Sequence, residues 1–86
     1  FFLNFNYSNS FNFSTLISFT VASEGIASLN IYTINGELVS TLFNETAKAG
    51  QVYNVKFDAG NLPSGIYFYR LTQGNSVVTK KLTLLK

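Results

Sequence analysis

GIYFYRLTQGNSVVTKKLTLL, residues 65–85, holds two runs rich in aromatic, branched and apolar residues on either side of Gly74-Asn75. Side chains alternate between the faces of a strand, so Tyr67, Tyr69 and Leu71 point one way and Ile66 and Phe68 the other. A strand that is apolar on both sides belongs in the middle of a sheet. Gly-Asn suits a tight hairpin connection, so residues 65–73 and 76–85 are expected to pair antiparallel. Pro63, the only proline, falls in the turn before them, where a fixed φ and a missing N–H cost little.

The same period of two extends outward from this hairpin. LISFTV, residues 16–21, puts Ile17, Phe19 and Val21 on one face and is followed by the turn residues Ser23-Glu24-Gly25. ASLNIY, residues 27–32, directs Ala27, Leu29 and Ile31 inward. In INGELV, Asn35-Gly36 predicts a two-residue type I′ turn joining antiparallel strands near 27–34 and 37–43. Residues 44–50 read as a loop, because the run between Asn44-Glu45-Thr46 and Ala49-Gly50 is too short for an independent helix. Residues 52–57 alternate again, with Tyr53, Val55 and Phe57 opposite Asn54 and Lys56. Strands in this number, linked briefly, predict an all-β chain: an antiparallel β-sandwich of about seven strands, with a small barrel as the other architecture. The hairpins share a pattern but no residues, so there is no internal repeat.

Eighty-six residues with 47% hydrophobic and 12% charged content suffice for one core and exclude wholesale disorder. The net charge of +2 comes from scattered cations, Lys48, Lys56, Arg70, Lys80, Lys81 and Lys86, which do not make a nucleic-acid footprint. With no Cys, disulfides and thiolate chemistry are excluded. No apolar run reaches the roughly 20 residues needed to span a bilayer as a helix. The opening residues lack the basic start of a signal peptide, and a chain beginning with Phe1 reads as a piece of a longer precursor.

Catalytic chemistry has little to draw on. There is no His or Cys, and the four carboxylates, Glu24, Glu37, Glu45 and Asp58, fall at predicted turns or strand ends, so no nucleophile and base pair is expected. Nor do they form the closely spaced acidic loop that calcium favours. The glycines are isolated turn residues and make no phosphate-binding fingerprint. No cofactor or metal is expected. Asn6-Tyr7-Ser8, Asn12-Phe13-Ser14 and Asn44-Glu45-Thr46 fit the N-glycosylation pattern, as chance allows in a chain rich in Asn, Ser and Thr. Tyr32, Tyr53, Tyr67 and Tyr69 would make a sugar-stacking platform if they shared an open face; their alternation with apolar residues favours burial.

The order of these motifs resembles one family. NYSNSFNFSTLISFT (6–20), SLNIYTINGELVSTL (28–42), Ala49-Gly50 and the closing LPSGIYFYRLTQGNSVVTKKLTLLK follow the layout of the type A C-terminal sorting domain of the bacterial type IX secretion system, found in the Bacteroidetes group. The resemblance implies an Ig-like sandwich that serves as an address and performs no catalysis. Cargo domains lie N-terminal to it, the outer-membrane machinery recognises it, and a sortase-like peptidase removes it. The cargo is then released or attached to surface lipopolysaccharide, after passage through the periplasm of a Gram-negative cell. The division implied is a leader or first edge strand at 1–14 and a single sorting domain at 15–86.

Positions matching the family's late motifs are Gly65, Tyr67, Tyr69 and Arg70, Lys80 and Lys81, and Leu84, Leu85 and Lys86; Gly36 marks the earlier hairpin. Tyr67 and Tyr69 are expected in the core, and Gly65 in a turn that a Cβ would obstruct. Lys80, Lys81, Lys86 and Arg70 are the candidates for direct recognition, and lysines on an edge strand would also deter edge pairing. The chain departs from the family's Asn-Tyr-Pro-Asn-Pro-Phe-Asn-Pro-Ser-Thr opening by carrying Ser8, Ser10 and Phe13 in place of prolines, and Phe57 replaces a Trp. Losing the prolines frees the leader for weak self-association through an N-terminal edge. The competing function is an Ig-like extracellular binding or spacer module, carbohydrate-binding if its tyrosines are exposed.

Overall fold

The computed structural model describes residues 2–5, 10–11 and 14–85. Eight strands follow in chain order: β1 (Phe2–Phe5), β2 (Ser10–Phe11), β3 (Ser14–Thr20), β4 (Gly25–Thr33), β5 (Leu38–Ala47), β6 (Tyr53–Asp58), β7 (Gly65–Gln73) and β8 (Ser76–Leu84). They form a two-sheet sandwich, one sheet ordered β1-β3-β6 and the other β2-β8-β7-β4-β5. The expected all-β sandwich is therefore present, built from six main strands, β3 to β8, and two short leader strands. The arrangement is not wholly antiparallel, since β2 joins β8 in parallel register at Thr83 and Leu84.

β7 lies between β4 and β8, as its two apolar faces require. Its pairing with β8 runs from Gly65↔Leu84 to Gln73↔Ser76 without a register shift. The connection is Gly74-Asn75, and Gly74 alone takes a positive φ, 56°. Glycine with positive φ at the first central position is the signature of a type II′ turn, whose twist matches that of the strands it joins.

The other hairpin differs from the type I′ turn expected at Asn35-Gly36. Gly36 has a φ of 88°, and no described residue other than glycine has a positive φ. The Gly36 N–H donates to the Thr33 carbonyl at 2.9 Å, and the Thr33 N–H donates to the Glu37 carbonyl at 2.8 Å. The loop is thus three residues, Ile34-Asn35-Gly36, with glycine absorbing the left-handed step. Thr33 Oγ1 accepts from the Asn35 and Glu37 N–H groups at 3.3 and 3.2 Å, which favours this longer loop over the shorter one.

A second correction concerns residues 44–50. Asn44, Glu45, Thr46 and Ala47 continue β5 and pair with Ser28, Ala27, Ile26 and Gly25. β4 starts at Gly25, so its backbone offers partners that hold these polar residues extended, and fully buried Ala47 anchors the strand end. Register shifts on β5 bring Val39, Leu42 and Phe43 against the core in place of strict alternation.

Between the sheets, Ile17, Phe19, Val21 and Phe57 meet Leu29, Ile31, Tyr69, Leu71, Leu82 and Leu84, all buried. Phe19, Phe43 and Tyr53 clamp the sheets together: Phe19 stacks on Tyr53 with centroids 5.2 Å apart and meets Phe43 edge-on at 5.1 Å. Tyr67 buries its ring and donates its hydroxyl to the Pro63 carbonyl at 2.7 Å, pinning the turn that leads into β7. Ser18, also buried, donates to Asn54 Oδ1 at 2.6 Å, so β3 carries a hydroxyl on its second face without leaving it unpaired.

Burial pushes the Tyr69 phenol above its ordinary pKa of 10. A raised folded pKa means that the contribution of neutral Tyr69 to stability is complete below pH 10 and falls as pH rises past it. Alkaline unfolding followed by circular dichroism should show this loss above pH 10, and Tyr69→Phe should flatten it; equal slopes would contradict the assignment. In urea melts, Leu71→Ala should cost about 2–5 kcal/mol, and Tyr67→Phe about 1 kcal/mol for the lost hydroxyl bond. A Leu71→Ala cost near zero would contradict the placement of β7 at the centre.

Candidate recognition surface

Alternation on β7 sends Tyr67, Tyr69 and Leu71 into the core, which leaves Ile66, Phe68 and Arg70 on the outer face of the five-stranded sheet. The registers then decide their neighbours. Tyr32 pairs with Phe68 and Asn30 with Arg70 from β4, while Lys81 pairs with Phe68 and Thr79 with Arg70 from β8. Leu38 and Thr41 of β5 complete the two rows beside Tyr32 and Asn30. One row, Leu38-Tyr32-Phe68-Lys81, is apolar and ends in a cation; the other, Thr41-Asn30-Arg70-Thr79, is polar.

Arg70 is held in place across these rows. Its guanidinium carbon lies 5.1 Å from the Tyr32 ring centroid, in cation–π contact. Its Nε–H donates to Thr79 Oγ1 at 3.1 Å. Asn30 Nδ2 donates to the Tyr32 hydroxyl at 3.2 Å, which steadies the ring beneath the guanidinium. Asn30 Oδ1 is buried and has no hydrogen-bond partner among the described residues. Tyr32, Ile34, Gly36, Phe68, Arg70 and Thr79 line an open groove of about 270 Å³. Neither row contains a carboxylate, and among the described residues no ion pair engages Arg70 or Lys81.

The two adjacent lysines serve different surfaces. Lys81 stands on the outer face with Arg70, whereas Lys80 shares its register face with inward Val78 and Leu82 and is nonetheless exposed. Among the described residues, β2 borders the outer edge of β8 at Thr83 and Leu84, and Lys80 stands ahead of that stretch, where a charge resists pairing with another chain's strand. Leu84 is fully buried and Leu85 is exposed. Lys86 lies outside the described residues. Of the four cations expected to act together, the structure unites Arg70 and Lys81 and sets Lys80 apart.

At Gly65 the expected obstruction is absent, since no atom comes within 4 Å of where a Cβ would stand. Glycine is needed there for its φ of 157°, which side-chain-bearing residues rarely adopt. The four tyrosines share no open face. Tyr67 and Tyr69 are buried, and half-buried Tyr32 and Tyr53 belong to different sheets. Among the described residues no group of three or more metal-ligating side chains comes together, and no helix is long and apolar enough to cross a membrane. Sequence reasoning missed Tyr32, Thr79 and Asn30 as companions of Arg70. Their only signal is the pairing register of β4, β7 and β8, which the residues themselves do not spell out.

In a comparison with known families, the model of the secretion system C-terminal sorting domain matches residues 7–85. No curated protein and no solved structure matches the chain.

Because Arg70 and Lys81 are exposed, Arg70→Gln and Lys81→Gln should each change the unfolding free energy by less than about 1 kcal/mol. Urea melts of the single and double variants check this; a larger loss would make these side chains part of the scaffold.

Proposed function

Because the chain belongs to the family of secretion system C-terminal sorting domains and carries a sorting signal for type IX secretion, we propose that its folded body, residues 15–86, is the address the export machinery reads. The signal marks a secreted or cell-surface protein of Bacteroidetes-type bacteria, with a cargo attached to the domain. In this reading the cargo passes through the periplasm, and the outer-membrane machinery engages Arg70, Lys80, Lys81 and Lys86. A sortase-like peptidase then separates the domain from its cargo. The domain acts as a ligand and catalyses nothing. Residues 1–14 serve as the leader, and the outer edge of β1, which pairs with β3 alone among the described strands, offers a place for weak self-association.

The family match over residues 7–85 carries this reading. Arg70, Lys80 and Lys81 support it, because they are exposed without ion-pair partners among the described residues and remain available to a receptor. The carbohydrate-binding alternative loses its platform, since Tyr67 and Tyr69 are buried.

A fluorescent reporter with an N-terminal export signal, fused ahead of this chain, should reach the medium or cell surface of a host that has type IX machinery. Lys80→Ala combined with Lys81→Ala should lower export by about tenfold while leaving the domain folded. Periplasmic retention of the unmutated fusion, with its domain folded, would refute the proposal.

A further inference from the structure

We propose that the outer face of the five-stranded sheet is a docking site for an extended acidic segment of a partner protein, with an apolar residue and two carboxylates at alternate positions. Naming the export machinery as the source of that segment rests on the sorting reading; the chemistry of the site does not. Tyr32, Arg70 and Lys81 are successive diagonal neighbours across β4, β7 and β8, with Phe68 enclosed between them. Diagonal positions on an antiparallel pair lie about 7–8 Å apart. Alternate residues of an extended chain lie about 6–7 Å apart and face the same side. Tyr32 and Lys81 themselves stand in one row about 9–10 Å apart, either side of Phe68. A segment of the form Leu-x-Asp-x-Asp, about 13–14 Å from first to last residue, places its apolar side chain in the groove of Tyr32, Ile34 and Phe68 and its middle carboxylate on Arg70, and the long Lys81 side chain reaches outward to the second.

Arg70 is prepared for this task. Tyr32 and Thr79 fix the guanidinium through its face and its Nε–H, which leaves the Nη donors for a carboxylate that can bind through two parallel bonds. Lys81 contributes a mobile point charge. Neither row carries a carboxylate, so an acidic segment lying across them meets no like charge from the residues beneath it. A second copy of this chain is a poor occupant. Its four carboxylates, Glu24, Glu37, Glu45 and Asp58, never stand two positions apart and cannot supply the pair. A phosphate-bearing glycolipid would satisfy the cations, but a phosphate headgroup gains nothing from the aromatic groove between them.

The probe is acetyl-Leu-Ser-Asp-Ser-Asp-amide, titrated into the isotopically labelled 86-residue chain and followed by NMR. Saturable shifts should centre on Tyr32, Phe68, Arg70, Thr79 and Lys81. The Asn-for-Asp peptide and the Arg70→Gln domain should each weaken binding at least about tenfold, one power of ten in the dissociation constant. Thr79→Val, which keeps the charge but frees the guanidinium, should weaken it several-fold. Equal binding of the neutral peptide, indifference to Arg70→Gln, or no shifts up to saturation would overturn the proposal. So would saturable shifts on this face from micelles of a phosphate-bearing glycolipid when the peptide gives none. In the reporter assay, normal export with both Arg70→Gln and Lys81→Gln would count against this face and leave the sorting reading standing, whereas retention of the unmutated fusion would strike the sorting reading itself.

Discussion

The pairing of β7 with β4 on one side and β8 on the other is the constraint from which the rest of the molecule follows. It satisfies the backbone of β7 along both edges, buries Tyr67, Tyr69 and Leu71 against the second sheet, and fixes which residues share the outer face. Deep burial of alternate side chains also removes freedom to slip. A shift of one residue would put Phe68 and Arg70 into the core and Tyr69 into water. The cost of burying a guanidinium without a partner makes that alternative prohibitive. The same alternation that builds the core therefore places Arg70 outside, beside Tyr32 and Thr79, and in the proposed reading a single strand serves stability through one face and recognition through the other.

The edges of the sandwich follow a different logic. β8 ends in buried Leu82 and Leu84; among the described residues its outer edge is bordered by β2 at Thr83 and Leu84, and exposed Lys80 stands ahead of that stretch. β5, at the other edge of the same sheet, carries register shifts that disturb a flat pairing surface. Both devices discourage strand addition by a neighbour. Within this sheet, that leaves the broad outer face, with its apolar and polar rows, as the surface on which contact is not opposed. A sorting signal benefits from this division, since it must be bound by its receptor without aggregating with the cargo it accompanies.

Alternation made most of the fold legible in the sequence. Ile17, Phe19 and Val21, then Ala27, Leu29 and Ile31, and the central Tyr67, Tyr69 and Leu71 are buried as their spacing indicates, because period two and burial are one fact in a two-layer protein. Turn type was less legible. Asn35-Gly36 fits a two-residue turn on local grounds, but the Thr33 hydroxyl collects two N–H donors and stabilises a three-residue loop. Residues 44–47 looked like a loop because Asn, Glu and Thr favour turns, and tertiary pairing with β4 overrode that preference. The proposed recognition surface was half visible. Arg70 and Lys81 stand out as charges in apolar runs, yet their union, and the separation of Lys80 from Lys81 by strand alternation, emerges only once three strands are in register.

The central claim is that the outer face of the five-stranded sheet meets the export machinery while the opposite sheet does not. Its most direct test is site-specific photocrosslinking during export in living cells, with the photoreactive residue at exposed Val77 of β8 on that face or at exposed Lys56 on β6 of the other sheet. The account predicts an adduct with an outer-membrane component from position 77 and none from position 56. Crosslinking from position 56 alone, or equally from both, would contradict it.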